Sequence, residues 1–151
     1  MGQMGSQLLA GAVVSLVNFA IHATVTALVV VATRHTAHAT SESRMFVRLA
    51  ALLTITMVAL MTAHVLEIAV WAGYYDLTAL KLNKSTGYFE FAFENYTALG
   101  YGDVVAGEGW RLIGPIMALN GLLLIGISVA IIFEVMKLVN IQIGSHRKRA
   151  G

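Results

Sequence analysis

The chain has 151 residues, 58% of them hydrophobic and 12% charged. A soluble domain carries about twice that charge, so the composition points to a membrane protein with little mass outside the bilayer. Cysteine is absent, which excludes disulfides and thiolate metal sites, and the net charge of +2 comes with no basic run that suggests nucleic acid.

Residues 8–33 are apolar, with His22 as the single acidic or basic side chain. The stretch exceeds the ~20 residues that cross ~30 Å of hydrocarbon. No basic n-region precedes it, so it is expected to stay as a first transmembrane helix and not be cleaved. Met1-Gly2-Gln3-Met4-Gly5-Ser6 has the form of a myristoylation pattern, but the topology derived below places this end outside. Asn18 and His22 share a face one turn apart and are read as interhelical hydrogen-bonding groups; the alternative is a functional polar patch. Residues 34–48 form a polar connection with Arg34, His35, His38, Glu42, Arg44 and Arg48. Its two histidines, three apart, are candidates for a pH response or, if helical, for metal binding, and are read as solvated loop residues.

Residues 47–75 read as a second transmembrane helix, closed by an aromatic belt of Trp71, Tyr74 and Tyr75. His64 and Glu67 lie inside it on one face, and an intramembrane carboxylate needs a partner or water. Two readings stay open: a pH-responsive pair near the outer side, or a hydrogen-bonded pair between helices. Residues 76–85 are a polar turret with Lys81 and Lys84. Residues 87–98 then read as a short helix with Ser85 or Thr86 as its N-cap. At ~1.5 Å per residue it spans roughly 16 Å, too short to cross, so it is re-entrant and must be buried in protein. The negative end of its dipole favours a cation.

Thr97-Ala98-Leu99-Gly100-Tyr101-Gly102-Asp103 follows. Glycine at alternate positions admits the positive φ required when successive carbonyls all face one side. Residues 110–139 read as a third transmembrane helix, with Pro115 near its start and Gly121 and Gly126 inside. Residues 140–151 form a basic tail with His146, Arg147, Lys148 and Arg149, expected to be too short for a ligand-sensing domain. Three crossings put Arg34, Arg44, Arg48, Lys137, Arg147, Lys148 and Arg149 on one side, and Lys81, Lys84 and Arg111 on the other. The positive-inside rule makes the first side cytoplasmic and the N-terminus external.

Gly100-Tyr101-Gly102-Asp103, between a short helix and a membrane-length one, resembles the selectivity filter of the potassium-channel family, Thr-Val-Gly-Tyr-Gly-Asp. The similarity spans 47–139, with 1–46 as an added N-terminal helix and connection. It extends to bacterial pore-only potassium channels and to the pore domains of voltage-gated and two-pore-domain relatives. It implies an all-α membrane fold: three transmembrane helices, a re-entrant pore helix and a filter loop over 98–103, assembled as a homotetramer. It further implies passive K⁺ conduction in a lipid bilayer, with filter-bound K⁺ ions and no cofactor. The small size points to a bacterial inner membrane.

Carried over by residue, the carbonyls of Ala98, Leu99, Gly100 and Tyr101 line the ion sites, and Gly102 flanks the outer mouth. Thr97 faces away. Glu94 and Asp103 have the spacing of a gating pair behind the filter, the alternative being Glu94 bonded to backbone amides. Glu90 stands where many relatives have a bracing aromatic. Gly121 lies near the family's hinge glycine, with Gly126 beyond it; close helix packing is the other reading. Leu122, Ile125, Val129 and Phe133 form the expected pore-facing stripe, with Phe133 as a hydrophobic gate or Glu134 as a cation-attracting ring.

The chain departs from the family at Ala98, where the inner-site threonine hydroxyl is lost, and at Leu99, which replaces valine. The first helix lacks the repeated arginines of a voltage sensor. The leading expectation is a K⁺-selective channel. The alternatives are a weakly selective cation channel or a non-conducting modulatory subunit. A membrane enzyme is disfavoured, because a His-x-x-Glu pair supplies too few metal ligands and no cofactor motif or nucleophile elbow is visible.

Overall fold

The computed structural model describes residues 2–36, 45–83 and 87–149. Four helices follow in order: α1 Gly2–Thr36, α2 Met45–Leu77, α3 Tyr88–Tyr96 and α4 Ile113–Arg149. Three of them hold membrane-length apolar spans, Met4–His35, Leu49–Leu77 and Ile113–Leu138. Two exposed hydroxyls within these spans bond back to their own helix: Thr24 donates to Ala20 O at 2.7 Å and Thr62 to Val58 O at 2.8 Å, which satisfies them in lipid.

The helices run longer than the hydropathy pattern indicates, because a helix continues past the apolar span until a breaker stops it. α1 begins at Gly2 and α2 at Met45, and α4 continues through the expected tail to Arg149. α4 also begins later than expected, since residues 110–112 form a turn that precedes Ile113. Pro115 falls in the first turn of α4, where its missing N–H costs no helix bond. Of the connection residues, His38, Glu42 and Arg44 lie outside the described residues.

α3 is nine residues long, shorter than the expected 87–98. Its N-cap position is Gly87, with φ −72° and ψ 142°; Ser85 and Thr86 lie outside the described residues. α3 packs against α2 and α4, and α1 packs against the same two helices, around a core of Ile68, Trp71, Tyr75, Phe91, Tyr96, Ile113, Met117 and Leu124. Trp71 and Tyr75 are fully buried, which corrects the aromatic-belt reading. They are packing partners of the short helix: Tyr75 and Phe91 rings are 5.4 Å apart, and the Tyr75 hydroxyl meets Met117 Sδ at 3.1 Å. Only Tyr74, half-buried, keeps partial exposure.

α1 docks on the unit formed by the other three helices. The Gln7 side-chain amide donates to Gly109 O and accepts from Leu112 N at 3.0 Å, which ties the first turns of α1 to the entry of α4. The start of α1 therefore lies at the same end of the molecule as the residues that follow the 98–103 loop.

Lipid gives little hydrophobic drive for helix association, so close backbone approach through small residues carries it. Gly121 is the tightest case: a Cβ there would collide with the Tyr96 carbonyl and lie 3.0 Å from the Tyr96 ring. Gly126 has nothing within 4 Å of its would-be Cβ. The two glycines are not equivalent. Gly121 seats the end of α3 against α4, and α4 passes both positions as one continuous helix. Gly121→Ala is expected to destabilise the purified protein by about 1–3 kcal/mol through overpacking. Gly126→Ala is expected to be neutral, or to stabilise by up to about 1 kcal/mol through helix propensity. Thermal unfolding in one detergent compares them, and equal losses at the two sites would contradict the packing assignment.

Candidate functional site

The loop that carries the motif starts in the way α3 ends. Ala98 N donates to Asn95 O at 3.0 Å and Leu99 N to Glu94 O at 3.1 Å. These two bonds are those of a Schellman cap, which needs a left-handed residue between helix and exit. Ala98 supplies it with φ 55°. Positive φ recurs at Gly100 (52°) and Gly102 (77°), at every second residue. Alternation of left- and right-handed backbone turns successive carbonyls to one side of a ribbon and N–H groups to the other. Side-chain room is not what selects glycine here, because a Cβ on Gly100 would meet only Ala98 O, at 3.9 Å, and one on Gly102 only Gly100 O, also at 3.9 Å. The backbone angle selects it.

Thr97 turns away from this ribbon. Its hydroxyl donates to Phe93 O at 2.8 Å, so it closes the last turn of α3. On the other flank the turret braces the chain after the ribbon. Asn83 Nδ2 donates to Asp103 O at 3.2 Å, Val105 N donates to Asn83 Oδ1 at 2.8 Å, and Gly107 N to Lys81 O at 2.7 Å. The ribbon itself is exposed on the single chain, with Leu99 55% and Tyr101 71% accessible. Its immediate supports are the helix end and the turret, while one face of the loop stays open.

Behind the end of α3 lies a buried polar network that joins all four helices. Glu67 of α2, fully buried, is its centre. His22 Nδ1 of α1 lies 2.9 Å from Glu67 Oε1, and His64 Nδ1 of α2 lies 3.1 Å from Oε2. The Tyr96 hydroxyl of α3 donates to Oε2 and lies 2.8 Å from His64 Nδ1. Ser128 Oγ of α4 sits 2.9 Å from His64 Nε2 and 3.4 Å from His22 Nε2. One turn away, Asn120 Oδ1 of α4 accepts from Asn18 Nδ2 and Trp71 Nε1, each at 3.1 Å.

His64 and Glu67 thus meet, and Asn18 and His22 reach the same core. The network lies well inside α2, away from its Leu77 end. From Leu77 back to His64 the helix descends about 20 Å at ~1.5 Å per residue, to the level of Tyr96. Tyr96, Ser128 and Asn120 escaped the sequence reading. The signal available for Tyr96 was its place two residues before Ala98 on a helix that must be buried.

No hydrogen bond or ion pair joins the Glu94 and Asp103 carboxyls among the described residues. Glu94 is half-buried and its carbonyl caps Leu99 N. Glu90 is exposed in the first turn of α3, where a negative charge suits the helix dipole. The neighbouring Phe91 is buried against Tyr75. On α4, Leu119, Leu122, Val129 and Phe133 are exposed along one stripe that includes Gly126. Ile125 and Glu134 are half-buried beside it.

A short helix aimed at an alternating-φ ribbon, held between two membrane-length helices, is the pore unit of an ion channel. Residues 61–137 match the family model described as Ion channel, a little over half the chain, from the second half of α2 to the apolar end of α4. The chain belongs to this ion-channel family, of the two-transmembrane pore type. No curated protein and no solved structure is significantly similar to it. α1 and the first half of α2 lie outside the matched span.

A left-handed L-residue costs roughly 1–2 kcal/mol, and a β-branched one is worse. Ala98→Gly is therefore expected to raise stability by about 1 kcal/mol. Ala98→Thr, although it installs the family's residue, is expected to lower it by about 1–2 kcal/mol. Thermal unfolding of both variants checks the pair, and a gain on Ala98→Thr would show that the ribbon adopts a different backbone.

Proposed function

We propose that the protein is a K⁺-selective channel, a homotetramer in which four 98–102 ribbons surround one axis. The observation that carries this reading is the alternation of positive φ at Ala98, Gly100 and Gly102 on a loop left open by its own chain. Four such ribbons provide rings of carbonyls that replace the hydration shell of a permeant cation. The carbonyls of Ala98, Leu99, Gly100 and Tyr101 form the ion sites, and Gly102 opens to the outer mouth. The exposed stripe of Leu122, Val129 and Phe133 lines the pore below, with Phe133 as its apolar constriction and Glu134 beside it. Glu94 and Asp103 tune the filter from behind. The N-terminus is external and the tail cytoplasmic in a bacterial inner membrane.

One observation favours a second reading, weak selectivity. Ala98 carries no hydroxyl, and the Thr97 hydroxyl is turned back onto Phe93 O. The innermost site then has carbonyls alone.

Purified protein in planar bilayers, with K⁺ on one side and Na⁺ on the other, decides between them. The expected reversal potential lies near the K⁺ equilibrium potential. Clear current that reverses near zero would establish the weakly selective channel. Absence of current across pH and lipid composition, with the protein folded, would favour a modulatory subunit.

A further inference from the structure

We propose that His22, His64, Glu67 and Tyr96 form a binding site for a divalent transition ion of the zinc class, buried between α1, α2 and the end of α3. The inference goes beyond conduction and does not depend on it.

The donor set is that of such a site. One nitrogen from each histidine and one Glu67 oxygen lie within 4.8 Å of one another. The individual separations are 2.9 Å (His22 Nδ1 to Oε1), 3.1 Å (His64 Nδ1 to Oε2) and 2.8 Å (His64 Nδ1 to the Tyr96 oxygen). Ligands about 2.0–2.2 Å from a tetrahedral zinc stand roughly 3.3–3.5 Å apart. Small outward shifts of side chains already aimed at one point would admit the ion. Imidazole and carboxylate donors without thiolate suit Zn²⁺, Co²⁺ or Ni²⁺.

The hydrogens can be arranged around an ion as readily as without one. Without an ion, His64 Nε2–H can donate to Ser128 Oγ at 2.9 Å while the Ser128 hydroxyl faces His22 Nε2 at 3.4 Å, and the Tyr96 hydroxyl stands 2.8 Å from His64 Nδ1. With an ion bound, each Nδ1 gives its lone pair to the metal and each Nε2 carries the hydrogen. Both Nε2–H groups then donate to Ser128 Oγ, which has two lone pairs to accept them. A second ring nitrogen held by an outer partner is the usual arrangement of metal-bound histidines.

The Glu67 carboxylate supplies the negative charge that faces a divalent ion, at a depth where uncompensated charge is costly. The other faces of the site are uncharged: Asn18 and Asn120 lie one turn away, and the groove beside His22 is lined by Phe19, Ala23, Leu124 and Ile127. The site is enclosed, with only His64 partly accessible, so the ion is expected to enter as the protein folds. It would fasten α1 to the pore unit directly behind the Schellman cap that starts the ribbon.

The test is metal content. The full chain is expressed in zinc-supplemented cells, purified without chelator, and analysed by plasma emission. One zinc per chain is expected. It is expected to survive replacement of the three other histidines, His35, His38 and His146, and to be lost in His22→Asn and Glu67→Gln. Ser128→Ala keeps every ligand and is expected to weaken retention against a graded chelator by about 10–100-fold. Protein grown with Co²⁺ should show the visible absorption of a four-coordinate, thiolate-free site. Folded wild-type protein without stoichiometric metal would overturn the proposal and leave a shared proton as the occupant. Zinc content unchanged by His22→Asn would overturn it equally.

Discussion

Glu67 is a carboxyl group in the middle of a membrane protein, fully buried, and the rest of the fold is arranged to make that tolerable. A lone ionised carboxyl in this medium is prohibitively unstable. It persists because α1, α2 and α3 each send it a partner, His22, His64 and Tyr96, and α4 closes the ring through Ser128. A residue that cannot be satisfied by its own helix forces helices distant in sequence into one register. The non-directional packing of apolar side chains in lipid cannot specify register so sharply.

The same requirement positions the start of the ribbon. Tyr96 is both a partner of Glu67 and the last residue of α3. Its carbonyl group is packed against Gly121 so closely that no side chain fits between them. The end of α3 is thereby held on two sides, by a hydrogen bond from below and by the backbone of α4. From that fixed point the Schellman cap at Ala98 sets the first left-handed turn of the ribbon. Local strain at Ala98 persists because its surroundings determine it fully. The far side of the ribbon is tied by Asn83 and the turret, which leaves one face of the ribbon open.

α1 acquires a physical role from this arrangement. It lies outside the family's matched span, yet it contributes Asn18 and His22 to the buried network and Gln7 to the entry of α4. It is a third wall of the pore unit's core, joined at two depths. A change in α1 would be transmitted to the end of α3 through one side chain, His22, and its shared carboxylate.

Three membrane-length helices, a helix too short to cross, and a glycine-spaced loop were legible from the sequence. Each is a local property: apolar run length against bilayer thickness, and the φ that glycine alone adopts freely. The family followed from the same loop. The sequence also marked Asn18, His22, His64 and Glu67 as unusual, because ionisable and amide groups in apolar spans are costly wherever they sit. What they do was decided by tertiary structure. Whether Glu67 meets a histidine, a lysine or water depends on which helix faces bring partners within 3 Å, and hydropathy carries no information on helix rotation. The roles of Trp71 and Tyr75 depend likewise on burial, since an aromatic near a span's end suits an interface or a core equally. Gly121 and Gly126 look alike in sequence and differ in what stands opposite them. Composition and spacing therefore determined the membrane span and the chemistry available, and the packing of four helices around one carboxylate decided where that chemistry meets.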